Sequence, residues 1–229
     1  MTAGAAGGDT RHMSGVHHTA TFDNIPAEKR ERILSAVAAA LGRDGIAGAR
    51  MADVAREAGV SHGSLFSYFP TKDDMVRAVV ERGMAMQAER FAGSSGAGCF
   101  DAQVRSVFRG AWDLASSRPE LISLWLSLSL EENSRFADAI LPLERDAAER
   151  WLSIVERGKA EGAVAAMVDT RAAAYLLDAL AAQLMKSRAS GLERDKLAAF
   201  MGVGPGDSDL GENPAERVAG LALALFRPR

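Results

Sequence analysis

Helical periodicity dominates this sequence. Between Asn24 and Phe226, apolar residues recur every three or four positions in a series of segments, and Gly, Pro, Ser or Asn residues separate these segments. Such spacing places the apolar side chains of each segment on one face of a helix. No segment has the sustained alternation of apolar and polar residues that is typical of a β-strand. The sequence therefore predicts an all-α fold.

Composition excludes several classes of protein. Of the 229 residues, 48% are hydrophobic and 25% are charged, which is enough apolar material to form a core. Cys99 is the single cysteine, so an intrachain disulfide framework is excluded. No apolar run approaches the roughly 18 residues that a membrane span requires. We expect a cytoplasmic protein that does not associate with a membrane.

Two segments that are poor in periodicity divide the chain. Residues 1–24 are rich in Gly, Ala, Thr and His, and we expect them to form a disordered tail. A Gly/Ser/Ala linker at 93–98 is the expected domain boundary. The sequence therefore predicts a helical domain at 25–92 and a larger helical domain at 99–229.

The most informative stretch is residues 51–72, MADVAREAGVSHGSLFSYFPTK. A short helix is predicted at Met51–Ala58, and Gly59 follows it where a left-handed C-terminal cap favours a residue without Cβ. Ser61 is a good N-cap for a second short helix. Two helices joined by a three-residue turn with a glycine form the helix-turn-helix arrangement.

The second of these short helices has no acidic residue. Its outward face can therefore enter the negatively charged major groove of DNA without repulsion. Gly63 allows the backbone to approach DNA closely. Lys72 lies in the first turn of the following helix, where the helix dipole disfavours a cation. A contact between Lys72 and a DNA phosphate would offset that cost.

The motif residues resemble the signature of the TetR family of transcriptional regulators. The resemblance is carried by 54–61, 63–66 and 68–72, and it covers about residues 27–80. It implies an N-terminal three-helix DNA-binding domain and a C-terminal helical domain that binds a small effector and dimerises through its last two long helices. It also implies that Tyr68 and Lys72 hold phosphates, and that further residues face the DNA, namely Ser61, His62, Gly63, Ser64 and Ser67.

Two positions depart from the family pattern. The family usually has Thr or Ser at the start of the first motif helix, whereas Arg50 stands here after Gly48 and Ala49. We expect Arg50 to supply the phosphate contact as a cation, without a side-chain cap. Tyr is common in the family where Phe66 stands, so one hydroxyl that would bind phosphate is missing.

Aromatic and methionine side chains in the C-terminal half provide adaptable apolar surface for an effector pocket. Helical spacing alone does not distinguish such a pocket from ordinary core. The predicted lining residues are Met84, Phe108, Trp112, Leu121, Trp125 and Met185, with Met86 and Met167 as further candidates. Polar groups that would orient the effector are Gln103, Asn133, Asp178 or Gln183.

The last two long helices share a stripe of Ala and Leu residues. Small side chains allow close helix packing, which favours an isologous four-helix interface between two subunits. The predicted interface residues are Leu176, Leu180, Leu184, Val218, Leu221, Ala222 and Leu225.

The sequence thus predicts a homodimeric repressor that binds a palindromic operator in double-stranded DNA and is released by a small apolar effector. An all-α enzyme is an alternative, but adjacent carboxylates on a helix do not face each other. All four histidines lie at or before His62, so the spacing of zinc and di-iron sites is missing, and we expect no metal and no cofactor. A protein–protein interaction module with a degenerate DNA motif is the other alternative, and salt-dependent binding to a palindromic duplex distinguishes it.

Overall fold

The computed structural model describes residues 17–92, 98–202, 204 and 213–228, apart from the side chains of 87–92 and 131–133. These ranges contain α-helices and one 3₁₀ segment (Glu131–Phe136) but no strand, which confirms the all-α prediction. No helix within them is both long enough and apolar enough to cross a membrane. The helices are α1 (Ala20–Asp23), α2 (Ala27–Gly48), α3 (Met51–Glu57), α4 (His62–Tyr68), α5 (Lys72–Ala92), α6 (Phe100–Ser117), α7 (Pro119–Leu128), α8 (Ala137–Ala160), α9 (Thr170–Ala189), α10 (Gly191–Met201) and α11 (Pro214–Phe226).

The apolar side chains form two cores. The first is built by α2–α5 and contains the fully buried Ile33, Leu65 and Phe69. It continues into α7 and the 3₁₀ segment before α8, where Leu128 and Phe136 are buried. The apolar contacts of the DNA-binding half therefore extend beyond the predicted 25–92 domain. Most of the predicted linker, 93–97, lies outside the described residues.

The second core lies between α6, α8, α9 and α11. Phe108 and Leu177 are fully buried in it, and Trp151 packs edge-on against Phe108 with ring centroids 5.9 Å apart. Gly158 stands where an added Cβ would lie 2.6 Å from Phe100, so α6 and α8 approach closely. This packing fixes the positions of α9 and α11, whose outer faces point away from the second core.

Residues 17–24 correct the prediction of a disordered tail at 1–24. Within this part of the chain α1 forms, and Phe22 is buried against Tyr68 and Phe69 with ring centroids 5.7 and 4.7 Å away. The first 16 residues lie outside the described residues. One aromatic residue flanked by polar residues has no helical periodicity, so the sequence pattern did not reveal this packing.

Side-chain hydrogen bonds cap the starts of α9 and α11. Asp169 accepts from the backbone N–H of Ala172 at 2.8 Å, and Asn213 accepts from that of Ala215 at 2.9 Å. Ahead of α7, Ser117 does not act as a cap, because its hydroxyl donates to the Asp113 carbonyl at the end of α6.

Helices α2 and α7 cross closely at Gly42. A Cβ at Gly42 would lie 2.7 Å from the Glu120 carbonyl oxygen and 3.2 Å from the Ser123 Cβ. Glycine is therefore required at this position, because a larger residue would prevent the close approach of α2 and α7. The crossing joins the DNA-binding half to the C-terminal half of the protein.

We predict that Gly42→Ala lowers the free energy of unfolding by about 1–3 kcal/mol, the usual cost of overpacking. Alanine in an open helical position would instead stabilise by about 1 kcal/mol. Gly48→Ala is the matched control, because its Cβ meets only the Asp44 Cβ at 3.7 Å. Chemical denaturation of both variants checks the sign, and equal stability of the two would contradict the close crossing.

Candidate DNA interface and effector cavity

Helices α3 and α4 form the predicted helix-turn-helix. Gly59 has a φ of +64° in the turn, as predicted for a left-handed cap. The N–H of Val60 donates to the Ala55 carbonyl at 2.9 Å and completes the end of α3. The Ser61 hydroxyl then accepts from the N–H of Ser64 at 3.0 Å, which confirms Ser61 as the N-cap of α4. Leu65 and Phe69 fix the helix by full burial.

The outward face of α4 has no carboxylate and contains polar groups in fixed positions. Ser67 donates its hydroxyl to the Ser64 carbonyl at 2.7 Å, so its oxygen still has lone pairs directed outward. His62 packs edge-on against the half-exposed Phe66, with ring centroids 4.9 Å apart. An added Cβ at Gly63 would meet no atom within 4 Å. The exposed predicted residues are Ser61, His62, Gly63 and Ser67, and Ser64 is half-buried.

Tyr68 departs from its predicted role as a phosphate ligand. Its side chain is 6% exposed and lies in the first core against Phe22. The ammonium of Lys29 stands 5.8 Å from the ring centroid. The prediction for Tyr68 is wrong because α1 covers this side of α4.

Lys72 anchors the end of α2. Its Nζ donates to the carbonyl of Ala49 at 2.8 Å and to that of Ala47 at 3.2 Å. Burial lowers the pKa of Lys72, the Arg135 charge acts in the same direction, and Asp73 opposes both. Two of the three ammonium donors are used within the protein, which leaves one for a phosphate. The predicted phosphate contact stays a prediction.

The start of α3 has the predicted lack of a side-chain cap, and Arg50 is its exposed N-cap residue. Asp53 in the first turn favours the helix N-terminus and binds Arg56 at 2.7 Å. Within the described residues, Arg50 has no ion pair or side-chain hydrogen bond of its own. Its guanidinium is therefore available to an external anion.

An apolar chamber of about 150 Å³ lies between α5, α7, α8 and α9. Trp125 contributes its ring and donates its N–H to the Glu144 carboxylate at 3.0 Å. The chamber contains three of the six predicted pocket residues, Leu121, Trp125 and Met185, and also Met86.

A second chamber of about 430 Å³ adjoins the first and shares Met86, Asp178 and Met185 with it. Three arginines line this outer chamber, namely Arg82, Arg118 and Arg150. The sequence prediction missed them because they lie on α5, between α6 and α7, and on α8, and such separate positions show no spacing pattern. The sequence signal that could have identified them is a charged residue within an otherwise apolar helix face.

Asp178 is the predicted polar orienter that the structure places on the cavity. It lies between the two chambers and accepts the indole N–H of Trp151 at 3.2 Å. Burial raises the pKa of Asp178 and the Glu144 charge raises it further, whereas the Trp151 hydrogen bond and Arg150 lower it. Burial also lowers the pKa of Arg150, against the charges of Asp146 and Asp178.

The other predicted pocket residues lie elsewhere. Phe108 is fully buried in the second core, and Trp112 packs under the Arg188 guanidinium, 5.0 Å from the ring centroid. Met84 packs against the first core and Met167 is 93% exposed. Gln103 and Gln183 bind Gly98 and Glu193, and the side chain of Asn133 is outside the described residues. Helical periodicity indicates which residues share a helix face, but it does not indicate which face lines the cavity.

The predicted dimer residues divide into two groups. Leu184 and Ala222 are buried in the second core, so the prediction is wrong for them. Leu180 and Val218 are partly buried against the same core. The exposed members are Leu176 at 39%, Leu221 at 63% and Leu225 at 59%.

Residues 33–79 match the family model described as bacterial regulatory proteins, tetR family. This segment of the chain is therefore of the TetR-family type. The matched residues contain most of α2, the whole helix-turn-helix and the first part of α5, which are the elements that place the outward face of α4.

Solved structures have the same fold as this chain over most of their length. FadR from Bacillus halodurans, a fatty acid degradation regulator, is 18% identical with a TM-score of 0.67, covering 86% of this chain and 99% of its own. FadR from Bacillus subtilis in complex with stearoyl-CoA is 16% identical with a TM-score of 0.65, covering 85% and 96%. AibR in complex with isovaleryl coenzyme A and operator DNA is 14% identical with a TM-score of 0.61, covering 87% and 98%.

The Gly63→Ala variant distinguishes an effect on DNA binding from an effect on folding. Because a Cβ at Gly63 meets open space, we expect unfolding stability to stay the same or rise slightly. The methyl group would separate α4 from DNA, and a cost of about 1.4 kcal/mol would weaken binding about tenfold. Binding titrations with an operator duplex check this, with Gly48→Ala as the matched glycine control. Unchanged affinity of Gly63→Ala would exclude close backbone approach at this position.

Proposed function

We propose that this TetR-family chain is a homodimeric transcriptional repressor that binds a palindromic operator and releases it when a small effector occupies the two-chamber cavity. The observation that carries the proposal is the outward face of α4. It presents His62, Gly63 and Ser67 on a rigid, carboxylate-free surface, which suits entry into the major groove. We expect such a protein to act on DNA as a regulator and not as an enzyme, and to do so in the cytoplasm.

In the proposed complex each subunit places α4 in one half-site. Arg50 and Lys72 flank α4 and would contact phosphates, which fix orientation without reading sequence. His62 and Ser67 would contact base edges, with Ser61 and Ser64 beside them. The two-fold axis of the dimer requires half-sites about one helical turn apart, or a multiple of a turn.

Selection of bound duplexes from a random DNA pool tests this function. We expect full-length protein at physiological salt to recover a palindromic consensus with a fixed half-site spacing. Affinity for that duplex should fall steeply with salt, because each neutralised phosphate releases counterions. Recovery of no enriched sequence would contradict the proposal and favour a partner-binding module.

An exposed apolar face on α9 and α11 supports the dimer. Tyr175 is 77% exposed and stands beside Leu176, while Leu221 and Leu225 are exposed on α11. Exposed large apolar side chains that cluster on adjacent helices are typical of protein interfaces. The same faces of two subunits would form an isologous four-helix interface.

Leu221→Glu should prevent dimerisation without unfolding the subunit, because Leu221 is 63% exposed in the single chain and an unpaired charge would be buried in the dimer. Sedimentation velocity at micromolar concentration measures the oligomeric state. Leu141→Glu is the matched control, since Leu141 is 48% exposed on α8 and outside the proposed interface. A Leu221→Glu protein that sediments as a dimer would exclude this interface.

The chemistry of the cavity supports a short-chain acyl-CoA as the effector class. An apolar cavity of about 150 Å³ accommodates a molecule of about the size of benzene. The inner chamber therefore fits a short or branched acyl group better than a long chain. The three arginines of the outer chamber suit phosphate groups, which would compete with Glu31 for Arg82 and with Glu120 for Arg118. AibR, with its isovaleryl coenzyme A, and FadR from Bacillus subtilis, with its stearoyl-CoA, are the structural neighbours that support this class.

A ligand that spans the two chambers would pass Asp178. Burial raises the pKa of its carboxyl, and the Trp151 N–H holds this group in place where the two chambers meet.

Helix α5 can transmit occupancy of the cavity to the DNA. It begins at Lys72 in the DNA-binding half and contributes Val79, Gly83 and Met86 to the inner chamber. Helix α7 provides a second route, because it lines the chamber and crosses α2 at Gly42. A tenfold loss of operator affinity requires only about 1.4 kcal/mol of effector preference between two conformations.

We expect isovaleryl-CoA to release the protein from its operator at lower concentration than stearoyl-CoA or free CoA. Arg150→Gln should weaken isovaleryl-CoA binding about tenfold or more, since a charge-assisted hydrogen bond contributes about 1.5–3 kcal/mol. Fluorescence of Trp125 and Trp151, which lie on the chambers, reports binding. Arg145→Gln on the exposed side of α8 is the control, and equal effects of both variants would exclude the arginine chamber as the CoA site.

A further inference from the structure

The C-terminal end of α4 is capped by a residue outside the helix-turn-helix. The Thr19 hydroxyl donates to the Ser67 carbonyl at 2.7 Å, and the Thr19 N–H donates to the Tyr68 carbonyl at 2.9 Å. The last carbonyls of a helix have no partner within the helix. Thr19 therefore satisfies two acceptors at the end of α4.

The segment that contains Thr19 is fastened at several points. We call residues 17–24 the N-terminal strap. Phe22 is 3% exposed in the first core, and Arg30 donates to the Asp23 carbonyl at 2.7 Å. On α5, His17 lies 3.4 Å from the Glu81 carboxylate. The strap thus connects the end of α4 to two longer helices.

The Thr19 hydroxyl is used for α4 and not for its own helix. Thr19 is the N-cap residue of α1, yet its side chain makes no capping hydrogen bond there. Loss of the hydroxyl would therefore leave the start of α1 unchanged in hydrogen bonding. The contact to Ser67 is the one that would be lost.

We infer that the N-terminal strap positions α4 for its operator, with Thr19 as the positioning residue. A helix of seven residues is not stable by itself and takes its orientation from its contacts. The Ser61 cap fixes its first turn, Leu65 fixes its middle and Thr19 fixes its last turn. Ser67, whose carbonyl Thr19 binds, is one of the proposed base-contacting residues.

This inference rests on the proposed function, because it concerns α4 as the helix that contacts DNA. We therefore expect sequence-specific DNA binding to depend on Thr19, which contacts the C-terminal end of α4 and not the DNA. A phosphate ligand would instead change the affinity for every duplex and the salt dependence. Affinities for the operator and for an unrelated duplex therefore distinguish a positioning residue from a phosphate ligand.

Full-length Thr19→Val, Thr19→Ser and Thr21→Val proteins test the inference with the selected operator and a scrambled duplex of the same composition. Loss of the hydrogen bond in Thr19→Val should weaken operator binding about two- to tenfold. Affinity for the scrambled duplex and the salt slope should stay as in the wild type. Thr19→Ser should restore operator binding, and Thr21→Val, which changes an exposed threonine of the same helix, should have no effect.

Amide hydrogen exchange of residues 62–69 provides a measurement without DNA. We expect faster exchange in Thr19→Val than in Thr21→Val, because the last turn of α4 loses an anchor. Wild-type protein that selects no operator would contradict the proposed function, and the exchange result then decides the role of the strap by itself. Unchanged exchange, wild-type operator affinity of Thr19→Val, or equal weakening of both duplexes would overturn the inference.

Discussion

Burial of Leu65 and Phe69 is the interaction on which the DNA-facing surface depends. Both side chains are fully buried, and they hold a seven-residue helix against the much longer α2 and α5. Because the apolar residues occupy the inward face, the small and polar residues of α4 face outward. The left-handed Gly59 turn sets the angle at which this face is presented. The chemistry of the surface is thus a consequence of how the core is packed.

The two cores make the DNA-binding half and the cavity parts of one connected structure. Helix α7 packs Leu124 and Leu128 into the first core, while Trp125 on the same helix lines the inner chamber. A ligand that displaces α7 would therefore change contacts with α2 at Gly42. The ion pair between Arg77 on α5 and Asp138 on α8, 2.6 Å long, adds a polar link between the halves. Small displacements of α5 or α7 at the cavity can therefore change the position of α4, because these helices pack against the DNA-binding half.

Periodicity and capping signals predicted the fold well, and the candidate site only in part. Helix limits followed from residues such as Asp169 and Asn213, whose side chains act locally and are legible in a short stretch of sequence. The burial of Tyr68 depends on Phe22, which is 46 positions away in the chain. Similarly, the arginines of the outer chamber come from segments far apart in the chain and lie close together only in the packed structure. Contacts over long sequence separations leave no local pattern, and the errors in the pocket and dimer predictions arise there.

We propose that effector occupancy changes the separation of the two α4 helices in the DNA-binding dimer. Spin labels at Ala52, an exposed position on α3, measure this separation once the exposed Cys99 is replaced by serine. We expect one narrow distance distribution on the operator and a shifted or broadened distribution after isovaleryl-CoA is added. The same distribution with and without effector, while the operator is nevertheless released, would contradict it.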